Sequence, residues 1–470
     1  MVRRVSHTNA HTASKRLCGT PVLIQPQPRK TSYIHAVLRY SAMPAAGREA
    51  HTTMIQRAGR PHAGARSAMQ TITSQNAARR GKREPLWTLF RVVFGLSALS
   101  WGGLALMAQL ENHYVEREGR LSRVAFSDLI ALAWMVPGPV GCNVAVQLGH
   151  ALRGRAGAWV AGVASVLPFF VLMTLFAIFY RTPLVRAAAS QTVINHFSVV
   201  LATLIAITWY KQTRALVRGK LEWTAAVLGC VALFYARSPA AYVVMLGTAF
   251  GAGWLVSPDR NSRVVVSIGR GDWHMLAALC VLLAIFALPL PHRYELALLW
   301  PRLAGAGMTL FGGGFSALPV LKTLFVTPAI GVSDNDFTLA FSLSPLSPGP
   351  LLNVVPFFGY LVDGWVGALI ATLALFVPSG CLVVLAQRHL HQLKVNPRFE
   401  HGMRILRAVT TAFLAVAVLR IAGHVPFQPV YLVTALFSGM CFAKLKTPVY
   451  VVYGTVAIVC GLWLAYGAMP

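Results

Sequence analysis

"MVPGPVGCN" (135–143) and "SPLSPGPLLN" (344–353) carry the same tripeptide inside stretches that are otherwise apolar. Two prolines delete two backbone donors and clash with the preceding turn, and the glycine between them loosens what remains. In hydrocarbon no water satisfies the carbonyls thus freed, so such backbone survives only where protein buries it or where it lines a watery cavity. Proline at the first turn of a helix costs little, because that N–H has no helical acceptor. Each motif therefore ends one half-helix and starts another. The new N-terminus presents free amides and a positive dipole end, which suits an anion. Pro137, Gly138 and Pro139, with Pro348, Gly349 and Pro350, are the first candidate binding residues.

Their neighbours add neutral donors. Asn143 and Asn353 follow the breaks and either donate to an oxyanion or tie down freed carbonyls and cap the new helix. Ser347, with Ser344 beside it, offers a hydroxyl for the anion or for capping. Gly102 and Gly103, and Gly312, Gly313 and Gly314, bring backbone amides close or serve tight helix packing. Charges are few. Lys322 either attracts a dianion or snorkels to the interface. Asp128 is a candidate proton-coupling carboxylate, against a plain role in the first turns of its helix. Arg91 reads as an interface anchor, and Arg153 and Arg155 as determinants of orientation.

The elements that hold these residues are membrane helices. The chain has 470 residues, 56% hydrophobic and 12% charged, where soluble chains carry roughly 25% charge. Runs such as "AGVASVLPFFVLMTLFAIFY" are long enough to cross a bilayer, and the short alternating strands of an outer-membrane barrel do not occur. The fold class is an all-α polytopic membrane protein with about 13 transmembrane segments, within a range of 10–13. Half of the net charge of +28 sits in residues 1–83, which hold Glu49 as their one acid. That stretch reads as a disordered basic leader, a transit peptide, or residues upstream of a start at Met54 or Met69. It has no nucleic-acid motif. The seven cysteines form no CxxC pair, and neither a metal site nor a cofactor is indicated.

Loop charges orient the chain. An N-terminus inside places Arg153, Arg155, the Lys211–Lys220 loop, the Arg388–Arg407 loop and Lys444 in the cytoplasm. The C-terminus then falls outside, at the cell (inner or plasma) membrane. One loop objects: acidic "TPAIGVSDND" (327–336) would be cytoplasmic.

The halves are copies. "FSDLIALAWMVPGP" aligns with "FTLAFSLSPLSPGP" at an offset of 211, and the segments from Asn143 and from Asn353 align at 210. Asn143, Gly149, Gly154, Gly157 and Pro168 land on Asn353, Gly359, Gly364, Gly367 and Pro378. Residues 84–256 form a first repeat, 257–295 a linker span, and 296–470 a second repeat. An odd number of crossings inverts the second copy, as in many secondary transporters. A duplicated bundle without transport is the bland alternative.

These motifs resemble the chromate ion transporter family of the two-domain, duplicated type. "WGGLALMAQL" and "FGGGFSALPVL" match its Gly-Gly motif, and the two Pro-Gly-Pro segments with their Asn- and Gly-rich helices match its second motif. Trp101 stands where the family commonly has Phe. The resemblance covers roughly residues 88 to 421. It implies secondary transport of chromate, a sulfate-like dianion, usually outward and conferring resistance. A sulfate or other oxyanion transporter, importing or exchanging, is the alternative. No nucleotide-binding, DDxxD or HExxH sequence is present, so neither an ATP-driven pump nor an enzyme is expected. The expected partners are the anion and the bilayer, with a homodimer left open.

Overall fold

The computed structural model describes residues 84–101, 103–182, 190–235, 238–257, 270–289, 291–311, 314–349, 351–389 and 396–467. Gly102, Gly312, Gly313, Pro350 and the basic leader lie outside them. All regular elements among the described residues are helical.

The first repeat opens with α1 (Leu86–Ala98) and α2 (Gly103–Glu111), the latter running on as a π-helix over Asn112–Arg117. These two fold back on each other. Glu84, ahead of α1, lies 3.8 Å from Arg120 and 3.4 Å from the Tyr114 hydroxyl, beyond α2. Burial pushes the Glu84 carboxyl up from its ordinary value, against the pull of Arg120. Next come α3 (Arg123–Met135) and α4 (Val140–Tyr180), joined through the first Pro-Gly-Pro. They also lie side by side: Gln147 Nε2 donates to the Leu129 carbonyl at 3.1 Å. In one straight helix these residues would stand about 27 Å apart. α1 and α3 have 13 residues each, about 20 Å of helix, well short of a hydrocarbon core of about 30 Å. Each pair is thus a hairpin whose two open ends lie together.

α4 is itself two helices, because Arg153 (φ −141°) and Gly154 (φ 64°) leave the helical region. The legs 140–152 and 155–180 pack antiparallel through glycines. A Cβ on Gly149 would stand 2.2 Å from the Gly157 carbonyl oxygen, so only hydrogen fits there. The second repeat repeats the plan. α9 (Leu299–Gly307) packs on α10 (Leu318–Phe325), and α11 (Asp334–Leu343) leads through the second Pro-Gly-Pro to α12 (Val355–Arg388). α12 turns at Asp363 and Gly364 (φ 54°), and its Gly359 and Gly367 meet as the first pair does. Phe337 of α11 stacks on Phe358 of α12, with centroids 5.0 Å apart. Four of the apolar segments expected to cross are therefore folded back on themselves.

The remaining helices are α5 (Gln191–Leu216), α6 (Lys220–Tyr235), α7 (Pro239–Val256), α8 (Arg270–Ala287), α13 (Pro397–Ala422), α14 (Pro429–Met440) and α15 (Val449–Gly467). The copies exchange partners: α6 and α7 pack on α13 of the second repeat, while α14 and α15 pack on α5 of the first. The long legs of α4 and α12 meet at Phe169 and Phe376, whose centroids are 5.2 Å apart. The hairpins of the two repeats open at opposite ends of these legs. Gln387, near the end of α12, reaches the Gln147 carbonyl, and Arg181, just past α4, donates to the Leu361 carbonyl at 2.6 Å. The second copy is thus inverted relative to the first.

Candidate functional site

The tips of the four hairpins meet in two crossed pairs. The Gly138 amide donates to the Leu310 carbonyl at 2.8 Å, and the Gly349 amide donates to the Ser100 carbonyl at 2.9 Å. Ser100 and Leu310 immediately precede equivalent residues of the two Gly-Gly motifs. Each Pro-Gly-Pro is therefore docked on the glycine-rich tip of the other repeat, and Trp101 forms an isolated bridge with Gly349. Sequence spacing reveals neither bond, because both join residues more than 170 positions apart.

Glycine is required at both tips for two reasons. Gly138 (φ +117°) and Gly349 (φ +100°) occupy backbone that L side chains rarely adopt. A Cβ on Gly138 would also fall 1.9 Å from Ser379 Oγ, and one on Gly349 would fall 2.7 Å from Phe169 Cδ1. Ser379 and Phe169 sit at equivalent positions, each one residue past the paired Pro378 and Pro168. The same place in the two copies holds a hydroxyl in one and a ring in the other.

The carbonyls left free at the breaks find side-chain donors, as burial demands. Asn143 Nδ2 reaches the Pro137 carbonyl at 3.4 Å, and Asn353 Nδ2 reaches that of Ser347 at 3.4 Å and that of Ser344 at 2.9 Å. The Ser379 hydroxyl donates to the Pro137 carbonyl at 2.8 Å and stands 3.0 Å from Asn143 Oδ1. The Ser344 hydroxyl donates to Asn353 Oδ1 at 2.5 Å, and that of Ser347 to the Pro348 carbonyl at 3.2 Å. In this conformation both asparagine amides hold backbone. Pro137, Gly138, Pro139, Asn143, Ser347, Pro348, Gly349 and Asn353 are all buried at the tips. Gly103 opens α2, and Gly314 opens a 3-10 turn over Gly314–Ala317.

Two candidates lie elsewhere. Lys322 pairs with Asp334 Oδ1 at 2.5 Å, at the open end of its hairpin and a helix length of about 15 Å from the tip. Asp128 is half-buried midway along α3. Sequence reasoning missed Ser100, Leu310, Ser379, Phe169 and Gln147. Gln147 is fully buried and its Oε1 has no partner among the described residues. Carrying the 210-residue offset one position past Pro168 and Pro378 pairs Phe169 with Ser379, a signal that could have raised those two.

The side chains that cap the breaks are neutral donors and acceptors. α4 starts at Val140 behind Pro139, so its first-turn amides have no acceptor inside the helix. Such an arrangement can hold an anion by hydrogen bonds and a helix dipole without a fixed countercharge.

A family model described as Chromate transporter matches the chain twice, over residues 87–254 and 296–462. A chromate transport protein of Cupriavidus metallidurans is 27% identical over 387 residues, covering 78% of this chain and 92% of the relative. One from Pseudomonas aeruginosa is 26% identical over 325 residues, covering 65% and 73%. No solved structure matches the chain. The two matches span well over half of the residues and contain both Pro-Gly-Pro tips, so this multi-pass membrane chain belongs to the chromate transporter family.

Proposed function

We propose that the protein is a secondary transporter of chromate, bound as a dianion between the two crossed tips. The observation that carries this is the reciprocal pair of bonds, Gly138 to Leu310 and Gly349 to Ser100. Irregular backbone ending among short helices is costly in a membrane unless it serves a site, and inverted repeats with such breaks are a transporter's build. The two glycine amides are engaged here, so the anion is held by the first-turn amides behind each motif. Opening one crossed pair while the other stays closed gives access from one side at a time. Outward movement fits the energetics. A dianion leaving an inside-negative cell gains about 4.6 kcal/mol per 100 mV, twice the single-charge value. Neutral donors suit turnover, since two or three buried guanidinium groups would hold a dianion too long.

The hairpins also bear on topology. With the N-terminus inside and the C-terminus outside, the reading is nine crossings plus four re-entrant hairpins. The acidic 327–336 loop then lies outside with the open end of α10 and α11, and the objection from its charge disappears. Cysteines placed at Glu116 and Ala329, in a chain lacking its native cysteines, test this. Labelling of the first from the cytoplasm and the second from outside supports it; the reverse for either restores straight crossings.

Transport is tested by labelled chromate flux in proteoliposomes of defined potential, with sulfate as competitor. Potential-driven movement of chromate from the compartment equivalent to the cytoplasm is expected. Flux of sulfate in preference to chromate would favour the other oxyanion reading.

A further inference from the structure

The structure carries a cavity of about 600 Å³ that runs from the first tip along the long legs of α4 and α12, with α8 alongside. Its size falls within the roughly 300–1,000 Å³ of small-molecule sites. Its walls are apolar and much of them is exposed: Val163 51%, Leu369 49%, Leu373 48%. Pro139, Cys142 and Asn143 close its deep end, and Arg155 and Arg388 stand at its mouth. Arg388 is paired with Asp272 of α8 at 2.5 Å. Arg155 is exposed and has no partner among the described residues. Trp159, one turn further along the same face, is 57% exposed, as befits an indole at a membrane interface.

Between the tip and the arginines a dianion is badly served, because the Thr372 hydroxyl there is already given to the Ala368 carbonyl and the other walls are apolar. An amphiphile is well served. We infer that this crevice binds an anionic phospholipid, its acyl chain against Val163, Leu369 and Leu373 and its phosphate at Arg155 and the outer edge of the Arg388–Asp272 pair. Charge complementarity selects this occupant: Asp272 offsets Arg388, Arg155 is left uncompensated, and both arginines stand at one end of an otherwise apolar groove. The inference does not rest on the transport reading. It places a lipid chain against Pro139 and Asn143, so lipid composition would be felt at the first break and not at the second.

The test uses the full chain purified in mild detergent, offered phosphatidylglycerol or phosphatidylcholine, with retained lipid read by native mass spectrometry. One phosphatidylglycerol is expected to survive where phosphatidylcholine does not. Arg155→Gln should lower its retention about fivefold, the size of one basic group's attraction to an anionic surface. Gly380→Leu fills the crevice without touching either arginine. Its new Cβ meets only Val146, at 3.9 Å, so the protein should fold while retaining less lipid. Equal retention of both lipids, or retention unchanged in Arg155→Gln, would overturn the proposal. So would equal binding of glycerol phosphate, which lacks a chain, or quantitative crosslinking of Leu373→Cys between two copies in vesicles. The last two would assign the site to a free phosphate or to a homodimer.

Discussion

The first break takes its polarity from the other half of the molecule, whereas the second supplies its own. At the first, Ser379 of α12 reaches across to the Pro137 carbonyl and the Asn143 side chain. At the second, Ser344 and Asn353 satisfy each other locally, and the equivalent cross-repeat contact is the ring of Phe169. A duplicated backbone thus carries two unlike tips. A shift of the repeats breaks the backbone bond at either tip, but only at the first does it also change the side-chain hydrogen bonds that satisfy the break. An inverted repeat sets up equal states by symmetry; side chains at equivalent positions then make them unequal.

The largest effect that can break this comparison is at the glycines. Gly138→Ala and Gly349→Ala should each cost about 3–5 kcal/mol, combining left-handed backbone strain with overpacking. Both should reduce the yield of monodisperse protein sharply. Rescue separates the tips. Ser379→Gly should recover much of the Gly138→Ala loss, because the obstacle is a small side chain. Phe169→Ala should not recover Gly349→Ala, because it leaves a cavity that itself costs about 3–5 kcal/mol. Equal rescue at both sites would mean that the two contacts are interchangeable.

Next come the asparagines. Asn353→Ala strips donors from two carbonyls and an acceptor from Ser344, so each unsatisfied group costs about 1–3 kcal/mol. Asn143→Ala should cost less, since Pro137 keeps the Ser379 hydroxyl. Thermal melts of the purified variants rank the two, and the reverse order would end the claim that the second break is locally tied. Ser379→Ala is smaller again in stability, about 1 kcal/mol, with Asn143 still bonded to Pro137. Its chromate flux should nonetheless fall more than that of Ser344→Ala, because of the two serines Ser379 bonds across the repeats and Ser344 bonds within its own. Lys322→Gln should do least: its partner Asp334 is half exposed at the hairpin's open end, where such pairs contribute about 0–1 kcal/mol. A flux loss comparable to that of Ser379→Ala would return Lys322 to the anion path.

Much of the architecture was legible. Gly149 and Gly157, and Gly359 and Gly367, appeared in the alignment as matched positions, and the structure shows why: in each copy the two legs touch there with no room for a Cβ. The turns at Gly154 and Gly364 were visible as matched glycines between apolar runs. The fold-back at Gln147 and Leu129 was not. Mean hydropathy reports that a stretch of residues sits in hydrocarbon, and it is blind to whether that stretch runs straight through or returns. The sequence expectation of about 13 apolar segments therefore concealed the hairpins within four of them.

By itself the sequence determined where helices must break and that they break twice in matching fashion. Proline's missing donor and glycine's conformational freedom are local properties of the backbone, readable residue by residue. Only the tertiary structure decided what the breaks touch. The bonds from Gly138 to Leu310 and from Gly349 to Ser100, and the substitution of Phe169 for a serine opposite the second tip, join residues far apart in the chain. Contacts between inverted copies leave no periodicity along either one, so their partners emerge only when both copies are packed together.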